Sequence, residues 1–159
     1  MANIHNAKDL KIAAIFIGIE DTPHKKPFLE RYFSDAYIHI DMAVLGSRGR
    51  EQTMLRQCYR HGESYVTDCP NLTFNKRKRY IDSAKQNGYR VIGYYFPIDE
   101  LIEKQSKQPI PNKMLLRSYM KMRERLDIPS YSEGFDEIYT VSFRSGDFET
   151  EKLNKDTSI

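Results

Sequence analysis

Residues 11–18 read KIAAIFIG, and this stretch decides the fold of the chain. Every position from Ile12 to Ile17 is apolar, the branched residue isoleucine is frequent, and a glycine ends the run. Such a continuous apolar run is typical of a strand that is buried on both faces, whereas a half-exposed strand alternates apolar and polar residues. The sequence therefore predicts a central strand of a parallel sheet, covered by helices on both sides.

The segments on the C-terminal side repeat an order of strand followed by helix. Strands are predicted at residues 11–17, 36–40, 64–67, 89–96 and 138–143, and helices after Pro27 and at residues 50–61, 73–86, 98–104 and 112–126. Parallel neighbours need crossover connections, which the helices supply. We expect an α/β fold with a parallel sheet of about five strands, formed by one domain over residues 1–144. Residues 145–159 are polar and are expected to be a frayed C-terminal tail.

Composition excludes several classes of protein. The 159 residues carry 25 Lys and Arg against 22 Asp and Glu, a formal net charge of +3. The longest apolar run is far below the roughly 18 residues that cross a membrane, so no membrane partner is expected. Two cysteines make no disulfide framework, and the four histidines lack metal-ligand spacing, so we predict no metal cage. The charged start MANIHNAKDLK is unlike a signal peptide, and a cytoplasmic location is expected.

Residues that follow strands are the first candidates for a functional site, because parallel sheets bind ligands at the carboxyl ends of their strands. These residues are 18–26 after the first strand, Asp41 after the second, 68–71 after the third and the loop 105–111 beyond the fourth.

Three segments resemble the P-loop polynucleotide kinase family. They are YIHIDMAVLGSRGRE at residues 37–51, VTDCPNLTFNKRKRYIDSAKQNGYRVIGYYF at 66–96 and IPNKMLLRSYMKMRERLDIPSYSEGFDEIYTV at 110–141. The resemblance extends over residues 11–141 and rests on the order and spacing of these segments. It implies the fold of 5′-hydroxyl kinases and related ATP-binding proteins, with ATP and Mg²⁺ as cofactors if the kinase activity is present.

The resemblance also implies roles for individual residues. Asp41 stands at the position of the catalytic base, and Asp68 at that of a carboxylate that contacts Mg²⁺ through water or the phosphate loop. The other implied positions are Gly18, Lys25, Lys26 and Asn71 for the nucleotide, and Lys104 and Lys107 for the lid. An aspartate or asparagine that ends a strand is also an ordinary turn former, so a purely structural role is the alternative.

The phosphate loop departs from the family pattern GxxxxGK[ST]. Residues 18–27 read GIEDTPHKKP, so the second glycine and the hydroxyl residue after the lysine are absent. Pro23 and Pro27 donate no backbone N–H groups. Glu20 and Asp21 add like charge, which at about 4 Å and an effective dielectric near 20 costs on the order of 4 kcal/mol each before screening. We predict that this loop forms no phosphate-binding nest.

Basic residues form two clusters on predicted helices. The first consists of Lys76, Arg77, Lys78 and Arg79, and the second of Lys113, Arg117 and Lys121. Either cluster would bind phosphates, and a solvated helix face is the alternative.

Three hypotheses follow. The chain is a pseudokinase that acts as a binding or regulatory module, an active polynucleotide or nucleoside kinase with an unorthodox loop, or a basic nucleic-acid-binding subunit. The partner would be a nucleic acid or another protein. If Asp41 is a remnant of the catalytic base, it is expected to lie within roughly one nucleotide's reach of Asp68 at the carboxyl edge of the sheet, because both residues follow parallel strands.

Overall fold

The computed structural model describes residues 10–18, 24–68 and 70–156 and has the expected α/β architecture. The strands are β1 (Ile12–Ile17), β2 (Ile38–Ile40), β3 (Tyr65–Thr67), β4 (Arg90–Tyr95), β5 (Glu137–Arg144) and β6 (Asp147–Lys152). The helices are α1 (Lys25–Phe33), α2 (Met42–Leu45), α3 (Arg48–His61), α4 (Phe74–Gln86), α5 (Ile98–Ser106) and α6 (Lys113–Arg125), with a 3₁₀ turn at Tyr131–Glu133. Among these described helices, none has the length and apolar character needed to cross a membrane.

The sheet has the strand order β2-β3-β1-β4-β5-β6. Strands β1 to β5 are parallel, and β1 lies between β3 and β4, as its unbroken apolar sequence predicts. All six residues of β1 have no exposed surface. Alternate residues of β1 face opposite layers, because side chains of a strand point to the two faces of the sheet in turn.

A helical layer covers each face of the sheet. Ile15 and Ile17 belong to the core that includes Leu55 of α3 and Tyr80 of α4. On the opposite face, Phe16 packs with the aromatic residues of α1. Helices α5 and α6 pack on each other and enclose a smaller apolar cluster of Leu72, Ile98, Leu101 and Tyr119.

Local sequence signals set the helix ends. The Ser47 side chain accepts a hydrogen bond from the N–H of Arg50 and begins α3, and Thr73 does the same for α4. Gly62 ends α3 in the left-handed conformation, with φ of 66°. Helix α2 was not predicted, since its four residues are too few for an apolar period to be recognised.

The C-terminal segment corrects two expectations. The sheet has six strands rather than about five, because residues 147–152 of the expected frayed tail form β6, antiparallel to β5. Ser145 and Gly146 connect the two strands with φ of 52° and 79°, the positive values that a tight hairpin turn needs. Phe148 anchors the hairpin through ring contacts with Phe28 and Phe143.

Candidate functional site

A cleft of about 270 Å³ opens at the carboxyl edge of the sheet, where β2 and β3 end. Asp41 and Asp68 both line it, so the structure brings these two carboxylates to one cleft as the strand order requires. Its walls are mostly apolar, and the remaining lining residues are Leu29, His39, Val44, Leu45 and Met54.

The Asp41 carboxylate has a structural task in this cleft. Its Oδ1 atom accepts a hydrogen bond from the backbone N–H of Ala43 at 2.9 Å and thereby caps α2. The residue is half-buried, so its side chain is still accessible from the cleft. A carboxylate with this exposure can accept a proton or a hydrogen bond from a bound hydroxyl group.

The Asp68 carboxylate is paired with a lysine of the chain itself. Lys25 Nζ lies 2.9 Å from Asp68 Oδ1, and the exposed fractions of the two side chains are 2% and 19%. The ammonium group thus supplies a positive charge at the carboxylate that the family resemblance assigns to Mg²⁺. The Asp68 Oδ1 atom is thus engaged by a cation of the protein, and a magnesium ion at this place would share the carboxylate with the Lys25 ammonium. Within the described part of the chain, no group of three or more His, Cys, Asp or Glu side chains could hold a metal.

Gly18 meets a packing requirement at the end of β1. Its φ of +148° is rarely adopted by other residues, and a Cβ atom would lie 3.0 Å from the carbonyl oxygen of Phe96. Its N–H donates to the carbonyl of Pro70 at 3.0 Å, so this amide is committed within the protein. Residues 19–23 of the phosphate loop lie outside the described residues. The prediction that this loop forms no phosphate-binding nest also concerns these residues and stays a prediction.

The other residues assigned to the nucleotide also have roles within the fold. The Asn71 side chain is 2% exposed, and its amide nitrogen donates to the carbonyl of Phe16 at 2.9 Å and to Thr67 Oγ1 at 3.3 Å. These contacts join the loop after β3 to β1, so the expected nucleotide contact of Asn71 is corrected to a structural one. Lys26 is 82% exposed and lies 3.9 Å from Glu30 on its own helix.

The two lysines expected in a lid both contact other groups of the protein, and their lid role stays a prediction. Lys104 Nζ donates to the carbonyl of Phe143 at 3.0 Å, which fastens α5 to the end of β5. Lys107 pairs with Glu103 one turn earlier on α5. The His24 ring stacks on Phe143 with 4.3 Å between the ring centroids. Burial, followed by the nearby charge of Lys104, lowers the pKa of His24.

The first basic cluster does not form a common surface. The Arg77 side chain is fully buried, where Nε lies 2.7 Å from Glu133 Oε1 and the guanidinium donates to three backbone carbonyls. Its expected nucleic-acid contact is therefore wrong, because the group is enclosed between α4 and the segment that follows α6. Lys78 pairs with an aspartate one turn later, and Arg79 lies near a buried glutamate of α3. Lys76 is exposed.

The second basic cluster is exposed along α6. Lys113, Arg117 and Lys121 follow each other at intervals of four residues, which aligns them on one helix face. In the part of the chain that the structure describes, none of the three has a carboxylate within 4.0 Å. Their binding to phosphates stays a prediction.

A third basic surface was missed by the sequence analysis. Arg48, Arg56 and Arg60 are exposed on α3 and, together with Gln52, form a ridge with four-residue spacing. The prediction of this helix rested on its apolar residues alone. The signal was the same four-residue interval that identified the cluster on α6.

Comparison with known proteins supports the fold alone. No protein-family model matches the chain. The chain is similar to one solved in the characterisation of the PezAT chromosomal toxin-antitoxin system of the human pathogen Streptococcus pneumoniae. The TM-score is 0.55 and the sequence identity 12%, and the match covers 85% of this chain and 68% of that chain. At this identity the likeness shows a shared α/β arrangement.

Proposed function

We propose that this chain is a P-loop kinase-like domain that has lost its ATP site and acts as a binding or regulatory module, a pseudokinase. The observation that carries the proposal is the buried ion pair between Lys25 and Asp68 at 2.9 Å. It places a cation of the protein at the carboxylate on which the family resemblance would place Mg²⁺.

Other groups at the carboxyl edge support the same conclusion. The Gly18 N–H and the Asn71 amide, both assigned to the nucleotide by the resemblance, donate to carbonyl groups of the protein. Lys104, assigned to the lid, donates to the carbonyl of Phe143. The two buried groups, the Gly18 N–H and the Asn71 amide, would each have to exchange an internal partner for a phosphate, and leaving a buried group without a partner costs about 1–3 kcal/mol.

The alternative is an active kinase that transfers phosphate to a hydroxyl group with an unorthodox loop. The cleft shared by Asp41 and Asp68 favours it, because an acceptor hydroxyl in this cleft would find a carboxylate within reach. Phosphoryl transfer needs positioning and charge neutralisation besides such a carboxylate, and the residues present give little of either.

A phosphoryl-transfer assay distinguishes the two functions. The purified chain is incubated with radiolabelled ATP, Mg²⁺ and either an oligonucleotide with a 5′-hydroxyl group or a mixture of nucleosides. The pseudokinase proposal predicts no transfer above that of a heat-denatured control. Transfer that Asp41→Asn abolishes, while the variant keeps the circular dichroism spectrum of the wild type, would establish the kinase instead.

A further inference from the structure

The outer face of α3 carries positive charge and no negative charge. Arg48, Gln52, Arg56 and Arg60 form a ridge that runs the length of the helix and is exposed throughout. At a rise of about 1.5 Å per residue, the ridge is about 18 Å long. In the described part of the chain, no carboxylate lies within 4.0 Å of any of its three guanidinium groups.

The acidic residue of α3 is turned away from this ridge. Glu51 is the one Asp or Glu in the sequence of the helix, and it is 3% exposed. Its Oε1 atom lies 3.6 Å from Arg79 of α4, on the inner side of the helix. The outward charge of the arginines is therefore not compensated by the helix itself.

The residues beside the ridge indicate what kind of partner it fits. The exposed neighbours Gly49, Thr53 and Gln57 are uncharged and small or polar. A helix that lies on a membrane needs an apolar face toward the lipid, and protein interfaces are centred on buried apolar or aromatic anchors. This face of α3 offers neither. Arginine guanidinium groups bind phosphate oxygens with two parallel hydrogen bonds, and glutamine and threonine add neutral hydrogen-bonding groups.

The comparable ridge on α6 has a different chemistry. It carries Lys113, Arg117, Lys121 and Arg125, but Met114 beside it is 83% exposed and Glu124 is exposed on the same side. The apolar side chain and the carboxylate make α6 less suited to a continuous phosphate backbone than α3.

We propose that the Arg48–Arg56–Arg60 ridge of α3 binds the phosphate backbone of a nucleic acid strand without sequence preference. Three contacts with phosphates of a single strand give a slope of about −2 for log K against log salt concentration, which is about 15-fold weaker binding from 50 to 200 mM salt. This binding does not depend on ATP at the carboxyl edge, so it stands or falls separately from the pseudokinase proposal.

Fluorescence anisotropy tests the proposal with a fluorescein-labelled oligothymidylate of 20 nucleotides at 50–200 mM NaCl. The variant with Arg48→Gln, Arg56→Gln and Arg60→Gln should lose at least about tenfold in affinity at 50 mM NaCl, with the slope reduced toward zero. Replacing the same three residues by lysine keeps the charge and should retain most of the binding. If the triple glutamine variant fails to fold, Arg56→Gln alone should still weaken binding and reduce the salt slope by about 0.7.

Two controls separate the ridge from total charge. The variant with Arg31→Gln, Lys85→Gln and Arg144→Gln removes three exposed charges that each lie within 4.0 Å of a carboxylate. It lowers the formal net charge from +3 to 0 (3 − 3 = 0), as the α3 glutamine variant does. It should keep the affinity within about twofold, because paired charges are not free to bind phosphate. The variant with Lys113→Gln, Arg117→Gln and Lys121→Gln should lose less affinity than the α3 glutamine variant, because Met114 and Glu124 interrupt the basic face of α6.

Several results would overturn the proposal. The proposal is wrong if the wild-type protein does not bind the oligonucleotide at 50 mM NaCl. It is also wrong if the α3 glutamine variant and the charge-matched control lose the same affinity. Loss of binding in the α6 variant alone would move the site to α6. Competition by poly-glutamate as effective as that of unlabelled oligonucleotide would show an acidic protein to fit the ridge equally well.

Discussion

Removing the Lys25 ammonium would leave the Asp68 carboxylate without its partner. The Lys25 side chain is 2% exposed and that of Asp68 is 19% exposed, so water can compensate only part of the loss. Breaking a buried ion pair by removing one partner costs about 3–5 kcal/mol. Because Asp68 keeps some contact with solvent, we expect the lower end of this range, about 3 kcal/mol, for Lys25→Met.

Urea denaturation followed by circular dichroism measures this change in the free energy of unfolding. In a domain of this size a loss of about 3 kcal/mol lowers the melting temperature by about 6–12 °C. The double variant Lys25→Met with Asp68→Asn should recover at least about 2 kcal/mol of the loss, since replacing both charges leaves no buried ion unpaired. Lys26→Met is the matched control, and its exposed position predicts a change below about 0.5 kcal/mol.

Two outcomes would refute this reasoning. If Lys25→Met has the same free energy of unfolding as the wild type, the ion pair does not contribute to the stability of the fold. If the double variant loses the sum of the losses of Lys25→Met and Asp68→Asn, the two side chains contribute independently and do not form a stabilising pair.

Three further predictions test other parts of the structure. Gly18→Ala should destabilise the chain by about 1–3 kcal/mol in urea denaturation, because its positive φ is combined with a backbone contact at 3.0 Å. Gly49→Ala, at an open helical position, should instead stabilise it by about 0.4–1 kcal/mol, and the same sign for both glycines would contradict the account. Arg77→Met should cost about 3–5 kcal/mol because it leaves a buried carboxylate unpaired, whereas Lys76→Met should change stability by less than about 0.5 kcal/mol. The lowered pKa of His24 means that its contribution to stability is present above pH 6.5, the value in the unfolded chain, and is lost as the pH falls from there through the lower pKa of the folded state. Thermal unfolding between pH 5 and 8 should therefore show a weaker pH dependence for His24→Phe, and an unchanged dependence would contradict this assignment.

The sequence predicted the parallel part of the sheet well, because buried strands have a signal of their own. The strands predicted at residues 11–17 and 89–96 coincide with β1 and β4 to within one residue at each end. Strand β6 was not predicted, because it lies at the edge of the sheet, where both faces tolerate polar residues. Its one apolar anchor, Phe148, gives no periodicity.

The sequence predicted where the candidate site lies but not how its side chains are paired. The ends of β2 and β3 bring Asp41 and Asp68 to one cleft, which follows from strand order alone. The ion pair of Asp68 with Lys25 joins residues 43 positions apart (68 − 25 = 43), and no local pattern indicates it. Arg77 illustrates the same limit, because its partner Glu133 is 56 residues away and only the fold shows that the guanidinium is enclosed.

We propose that this α/β domain does not bind ATP with Mg²⁺. Isothermal titration calorimetry of the wild-type chain with ATP and Mg²⁺ tests this claim most directly, because it needs no assumption about an acceptor or a partner. We expect no saturable heat up to about 1 mM ATP. A dissociation constant of that size corresponds to a binding free energy of only about −4 kcal/mol. Saturable binding in the micromolar range, at one site per chain, would contradict it.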